Sequence, residues 1–487
     1  MTTHGFGGFV AAARAAGQLV VQPRMGMADP ARMRDGLLAT RGASAVTVGT
    51  LTLDSYTRTG DLAAARRALA DGVGLNGYPL ATHPADTTRA VLRGLADDRF
   101  PVQVRHGSAL PQHIIRALLS VGLDATEGGP VSYCLPYSRT PLREAVVAWR
   151  RACELLAEAG ESGAEPHLET FGGCLMGQLC PPSLLVAVSV LEALFFRQNG
   201  LRSVSLSYAQ QADPRQDEEA LTVLARLAGE LLPDVDHHVV LYAYMGVFPV
   251  TPGGARLLLQ DAARLAVRAG AARLIVKTTA EAHRIPTVAE NVRALETAAV
   301  AAAEERAALS AGPAPRTGLV EDTGVEAEAR ALIGAVLDLD PDIGRALVRA
   351  FAAGYLDVPY CLHPDNAGRT RSSLAADGRL SWSNTGSMPI AGLGAAGHRP
   401  PILGSAGLLS ALSHVQRTYD DRAAARPAAA GDVREAVRET VRVPLPHVPA
   451  PHVPAPHVPA PHVPAPLGPL PLRTTSTPRR ELGLTTP

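Results

Sequence analysis

Lysine is almost absent from this 487-residue chain: of 46 basic residues, 45 are arginine and only Lys277 is lysine. Where every other cation is a guanidinium, a lone ammonium calls for a reason. It is a compact point donor with a movable pKa, able to form a Schiff base, as guanidinium is not. Net charge is lacking too. The basic residues are balanced by 46 acidic ones, so no field draws the chain to nucleic acid or an anionic membrane. Long apolar runs are missing: the longest, Leu184 to Phe196, is broken by Glu192 and too short to cross a bilayer. The opening MTTHGFGGF has no basic-then-apolar signal pattern, and the expectation is a cytoplasmic protein. Five cysteines, odd in number and without a C-x-x-C pair, argue against a disulfide framework and for reduced thiols; no metal site is expected.

What the chain does have is alternation. Short apolar runs are separated by Ala/Leu/Arg helical stretches at Leu19 to Arg24, Ala45 to Thr50, Gly74 to Tyr78, Val102 to Arg105, Leu123 to Glu127, His167 to Phe171, Val204 to Tyr208, Val239 to Tyr242 and Leu274 to Lys277. That is a βα repeat, and the fold class is α/β. Polar residues close almost every run: Arg24, Arg58, Asn76, Arg105, Glu127, Glu169, Tyr208 and Lys277. In a TIM (β/α)8 barrel such tips share one mouth. Nine runs are one too many for eight strands, so one must lie outside.

The stretch from Pro101 to Tyr137 concentrates the chemistry, with Arg105 and His106 at one strand end and Glu127 at the next, then a glycine turn leading to Tyr133 and Tyr137. Guanidinium forks suit carboxylate or phosphate, and Arg24, Arg58 and Arg105 converging on one mouth suit a small dicarboxylate. Glu127 is read either as a general base or holder of a substrate ammonium, or as a structural partner of one of the arginines.

VVQPRMG, DSYTRTGD, LNGYP, PVQVRHG, EGGPVSYCLPY, LETFGG, CPPS, YAQ, MGVFP and VKTTAEAHRIPT occur in this order. Together they resemble the epsilon (catalytic) subunit of glutamate mutase, or methylaspartate mutase, from about Gly17 to Val300 and more weakly to about residue 390. The resemblance implies a TIM barrel that uses adenosylcobalamin and radical chemistry to interconvert L-glutamate and (2S,3S)-3-methylaspartate. It implies a dimer of this large subunit in a heterotetramer, with a separate small cobalamin-binding subunit carrying D-x-H-x-x-G, a motif this chain lacks. It places Arg24, Arg58 and Arg105 on the substrate carboxylates, with His106, Tyr133 and Tyr137 beside them and Glu127 on the substrate ammonium; Glu127 and Arg105 are its catalytic residues. Around the adenosyl group it places Gly26, Asn76, Pro136, Phe248, Lys277, Glu281 and Ile285, with Lys277 and Glu281 on the ribose. Two departures stand near the mouth: the family's Asn-Arg before Glu169 is here His167-Leu168, and a family histidine is here Tyr242.

Three parts of the chain are read: a barrel over 1–310, an accessory segment over 311–425 that opens with the linker-like GPAPR, and a tail over 426–487. The tail's PHVPA repeats, carrying His447, His452, His457 and His462, read as extended and disordered. GLGAAG at Gly392 to Gly397 is followed by HRPP where a helix should start, so it is not a dinucleotide motif. Two other functions stay open: a Schiff-base lyase of the aldolase type built on Lys277, and a catalytically silent mutase-like scaffold. The lone lysine yields a first prediction. Lys277→Arg keeps the charge but loses the compact donor, and steady-state turnover with the small subunit and adenosylcobalamin is expected to fall at least about tenfold; an unchanged rate would make Lys277 incidental.

Overall fold

The computed structural model describes residues 5–161, 163, 165–175, 178–311, 321–393 and 404–425. GPAPR, all but the start of GLGAAG and the PHVPA tail lie outside these residues.

Eight short parallel strands build the core. They are preceded and joined by helices in the order α1 (Phe6–Ala15), β1 (Val20–Gln22), α2 (Pro30–Arg41), β2 (Gly49–Thr52), α3 (Ser55–Thr59), α4 (Leu62–Ala70), α5 (Ala85–Leu92), β3 (Val102–Arg105), α6 (Gln112–Ser120) and β4 (Ala125–Gly128). The second half runs α7 (Leu142–Gly160), β5 (His167–Thr170), α8 (Pro182–Gln198), β6 (Ser203–Ala209), α9 (Pro214–Leu231), β7 (Asp236–Tyr242), α10 (Pro252–Arg268), β8 (Arg273–Ile275) and α11 (Val288–Ala311). Strands β2 to β8 pair in sequence order and β8 pairs with β1. Between β1 and β2 the ring is closed by a parallel bridge from Val21 to Thr47, with the Val21 amide donating to the Val46 carbonyl at 2.9 Å. The result is the expected (β/α)8 barrel, with strands buried on both faces because helices surround them.

The ninth run resolves itself: Gly74 to Tyr78 is a loop, tied to β2 only by a bridge from Tyr78 to Leu53. Asn76 therefore does not end a strand. Nor does Arg58, which sits on α3, a single turn begun by Asp54, whose carboxylate accepts the Tyr56 and Thr57 amides. An Asp next to a strand end captures the chain for a helix start, which the run-ending rule overlooked.

α1 stops the N-terminal end of the barrel. Phe6 stacks on His167 at 5.0 Å, lies under the Arg273 guanidinium at 4.9 Å, and joins Val20, Val48, Ala125 and Ala272 in a small core.

After the barrel come α12 (Val325–Leu337), α13 (Ile343–Ala353), the antiparallel pair β9 (Arg371–Leu374) and β10 (Leu380–Asn384), α14 (Ser405–Leu412) and α15 (His414–Ala424). α12 packs on α8 and α9, and α13 on α7 and α8. This explains α8, which is apolar all round and buried from Pro182 to Phe196, because it is covered on the barrel side and on the outside alike.

Glu192, the residue that breaks that apolar run, has a task. Its carboxylate accepts the Val131 amide (3.1 Å), the Ser132 amide (2.9 Å) and the Ser132 hydroxyl (2.9 Å), pinning the turn that leads to Tyr133. Burial pushes its pKa from the ordinary 4.5 up to about 7, against the lowering effect of those hydrogen bonds. A raised folded value means that the native state holds the proton more tightly. The resulting stabilisation is complete below the ordinary value and is lost as pH rises through about 7. Glu192→Gln keeps an oxygen for the two amides and an NH2 for Ser132. The melting temperature followed from about pH 5 to 8 is therefore expected to fall less steeply in this variant than in the parent, and Asp124 and Asp217, raised by burial to about 6 and about 8, contribute to the slope in both proteins. Equal slopes would show that Glu192 does not titrate in this range.

Candidate active site

Adjacent parallel strands bring the central pair together. Arg105 ends β3 and Glu127 lies next to last in β4, and the register that pairs Val104 with Thr126 sets them side by side. Arg105 Nε donates to Glu127 Oε2 at 2.7 Å, with the two side chains 5% and 1% exposed. Tyr133 Oη donates to the other carboxylate oxygen. From β7, the Tyr242 hydroxyl lies 2.7 Å from Glu127 Oε2 and within hydrogen-bond reach of Glu169 as well, so its one proton can serve either; it accepts from Arg105 Nη2 at 3.3 Å. Deeper in the barrel, Arg273 binds Glu169 and Gln22, and Gln22 donates to Gln103 at 2.8 Å and to Thr50 at 3.0 Å. Arg105 pairs with Glu127 and Arg273 with Glu169, and the Tyr242 hydroxyl joins the two pairs, so each buried carboxylate has its own guanidinium, the condition under which buried ions are tolerated. Burial, with Glu127 adding to it, holds the Tyr133 pKa well above the ordinary tyrosine value. Tyr242 is held high chiefly by burial against the opposing Arg105. Both phenols stay protonated as donors.

The glycines after Glu127 are required by sterics. Gly128 has φ +137°, and a Cβ there would strike Trp149; a Cβ at Gly129 would strike the Glu192 carboxylate.

His106 follows Arg105 and is packed between Trp149 (stacked, 5.8 Å) and Tyr133 (edge-on, 5.2 Å). Its Nδ1 accepts the Ser108 amide at 3.1 Å, which puts the proton on Nε2. Burial first, then the neighbouring His113, Arg58 and Arg105, lowers its pKa to about 3, so the ring is neutral. Nε2 is buried with no partner among the described residues, and so is Arg58 Nε. Arg58, Ser108, His113 and Tyr137 line an open cavity of about 660 Å³.

A second cluster lies past the ends of β8 and β7. The Lys277 ammonium is 3.5 Å from Glu281 and 4.4 Å from the centroid of the Phe248 ring. Glu281 also binds Arg24 at 3.2 Å and accepts the Thr278 amide at 3.1 Å. Burial lowers the Lys277 pKa, while Glu281 opposes that shift.

The structure therefore joins Arg105, His106, Glu127 and Tyr133 in one cluster and Arg24, Phe248, Lys277 and Glu281 in another. Tyr137, half exposed, lies within electrostatic reach of both Arg24 and Arg105. Ile285 is 67% exposed; Pro136 lines a separate cavity of about 500 Å³ with Tyr360 and Cys361; the Asn76 carboxamide oxygen accepts the Ser55 amide at 2.9 Å. Gly26 is pressed against the Thr52 carbonyl of β2, where no side chain fits. Sequence reasoning left Tyr242, Glu169, Arg273 and Trp149 without roles. The signal for Tyr242 was its departure from the family histidine, and for Arg273 a charge opening an apolar strand. Among the described residues no group of His, Cys, Asp and Glu is placed to hold a metal, and no helix is long and apolar enough to cross a membrane.

A closed barrel with interlocked arginine, carboxylate and tyrosine groups at the C-terminal ends of its strands has the architecture of the (β/α)8-barrel enzymes. The family model described as "Methylaspartate mutase E chain" matches residues 2–402, and the chain belongs to this family. It is similar to proteins named glutamate mutase epsilon subunit: 32% identical to that of Halobacterium salinarum over 70% of this chain and 71% of that one, and 30% identical to that of Haloarcula marismortui over 76% and 77%. The relative in Escherichia coli O157:H7 is 29% identical over 70% and 72%. The protein is an isomerase, a glutamate mutase subunit.

Tyr242→Phe removes the hydroxyl that stands between two buried carboxylates. Unfolding by denaturant is expected to show a loss of about 1.5–3 kcal/mol, the range for a hydrogen bond to a charged group; a loss below about 0.5 kcal/mol would show that the bridge contributes nothing.

Proposed function

We propose that this chain is the catalytic subunit of an adenosylcobalamin-dependent mutase that interconverts L-glutamate and (2S,3S)-3-methylaspartate, together with a small subunit carrying D-x-H-x-x-G. The observation that carries the reading is the pair of buried donors without a protein acceptor, His106 Nε2 and Arg58 Nε, next to the Arg105–Glu127 pair. A substrate carboxylate supplies the acceptor that both need. Arg24, Arg58 and Arg105 hold the two carboxylates. Arg105 does so with the part of its fork not bound to Glu127, and neutral His106 adds a donor without adding charge. Glu127 accepts the substrate ammonium, and the protonated Tyr133 and Tyr242 keep the carboxylate aimed. Buried Tyr133 and Phe171 supply apolar walls that exclude water, and the half-exposed Tyr137 stands against Phe171 at their open edge.

The second cluster fits the adenosyl group. The Lys277 ammonium, seated on the buried Phe248 ring, and the Glu281 carboxylate match the donors and acceptors of a ribose diol, and Asn76, in the loop after β2, has its NH2 as a further donor. Exposed Val247, Val250 and Ile285 give the loops after β7 and β8 an apolar rim of the kind a flat macrocycle covers. Bound adenosylcobalamin would supply cobalt–carbon homolysis and hydrogen abstraction. This chain's residues fix both ends of the substrate while its carbon skeleton rearranges. A dimer of large subunits in a heterotetramer, and a cytoplasmic location, belong to the same proposal.

The burial that lowers the Lys277 pKa is the one feature favouring a Schiff base. Glu281 and the Phe248 ring both stabilise the ammonium instead, and borohydride with a carbonyl compound is expected to trap no adduct.

The chain mixed with a verified small subunit and adenosylcobalamin is expected to convert glutamate to 3-methylaspartate; no product under those conditions would overturn the proposal. Arg58→Lys, which loses the planar fork, is expected to raise KM for glutamate about tenfold or more.

A further inference from the structure

The family match ends at residue 402, and α14 and α15 lie beyond it. α15 nevertheless reaches the loop between β7 and α10, which carries Phe248. Asp420 Oδ2 accepts the Val250 amide at 3.1 Å, and Oδ1 accepts the Thr251 amide at 3.0 Å. Thr251 is itself the N-cap of α10, its hydroxyl oxygen accepting the Gly254 amide at 3.0 Å. A carboxylate from a distant part of the chain thus satisfies amide donors at the start of α10, where a negative charge is also favourable. The fit is close: a Cβ at Gly254 would lie 2.5 Å from Asp420 Oδ1, and one at Gly253 3.1 Å from Ala423. Further along, Tyr419 Oη donates to Asp261 at 3.0 Å and Arg422 binds the same carboxylate at 2.9 Å. Val415 and Tyr419 are buried in a core of their own with Tyr244, Phe248 and Leu258. The other side of this core is functional, because the Lys277 ammonium rests on the Phe248 ring and Lys277 and Arg24 share Glu281.

We propose that α15 is a latch: it fixes the β7–α10 loop and, through Phe248, positions Lys277 and Glu281 for the nucleoside part of the cofactor. Asp420, Tyr419 and Val415 are positioning residues that act through Phe248. The ligand's identity rests on the reading given under Proposed function; the latch itself does not.

Two measurements on the full-length chain test it. Hydrogen exchange in Asp420→Ala is expected to be about tenfold faster at the Val250 and Thr251 amides, with Asp420→Asn, which keeps one acceptor oxygen, in between. Unchanged exchange would overturn the latch. Spectroscopic titration with adenosylcobalamin in the presence of the small subunit is expected to show about fivefold or more weaker binding in Asp420→Ala, with kcat at saturating cofactor within about twofold of the parent. Faster exchange with unchanged affinity would show that α15 merely caps α10, and would overturn the positioning role. If Asp420→Ala does not fold, Tyr419→Phe, which loses the hydroxyl bound to Asp261, is expected to shift the same two readouts in the same direction, and no shift in either overturns the proposal. A parent chain that neither binds the cofactor nor turns over glutamate would refute the functional reading, while the exchange data would still decide whether the latch exists.

Discussion

The buried pair of Arg105 and Glu127 is the constraint on which the rest of the mouth depends. A carboxylate this far from water is tolerable only if its charge is matched and its lone pairs are occupied. Arg105 matches the charge, and Tyr133 and Tyr242 take the lone pairs. Each of those partners is fixed by something else. Gly128 and Gly129 leave room for Trp149 and Glu192, Glu192 pins the turn before Tyr133, and Tyr242 is shared with Glu169 and so with Arg273. The polar interior is therefore one connected set, in which the orientation of Glu127 depends on residues from five strands.

That arrangement divides the mouth by chemistry. On the β3–β4 side the donors are rigid, buried and in part without protein acceptors, which suits a small anion. On the β7–β8 side Lys277 and Glu281 set a cation and an anion on the buried Phe248 ring, and the surrounding loops expose valine and isoleucine. Arg24 belongs to both: assigned to the substrate by the family resemblance, it is bound to Glu281 in this structure. The two readings kept open for Glu127 turn out to be compatible, since a carboxylate can be the structural partner of Arg105 and still offer an edge to an ammonium.

Much of this was legible in the chain. Period and run length showed the barrel, because parallel strands covered by helices are short apolar runs that end in polar residues. Arg105 and Glu127 stood out for the same reason, and Lys277 as the chain's one lysine. The errors were local. Asp54 starts a helix after β2, so Arg58 is carried on α3, and the run from Gly74 to Tyr78 has strand-like composition but makes a single bridge. Tyr242 was visible only as a departure from the family, and Arg273 only as an arginine at the head of a strand. Their meaning depends on which strands are neighbours.

By itself the sequence determined the repeat, the polar strand ends and the family, because these follow from the order of residue types along the chain. Only the tertiary structure decided who pairs with whom. It closed the ring between β1 and β2, set Tyr242 between two glutamates more than seventy residues away, left His106 and Arg58 with donors to spare, and laid α15 against the loop of Phe248. Hydrogen bonds and ion pairs act over a few ångströms in space whatever the separation along the chain, so their partners are fixed by the closure of the barrel rather than by any local pattern.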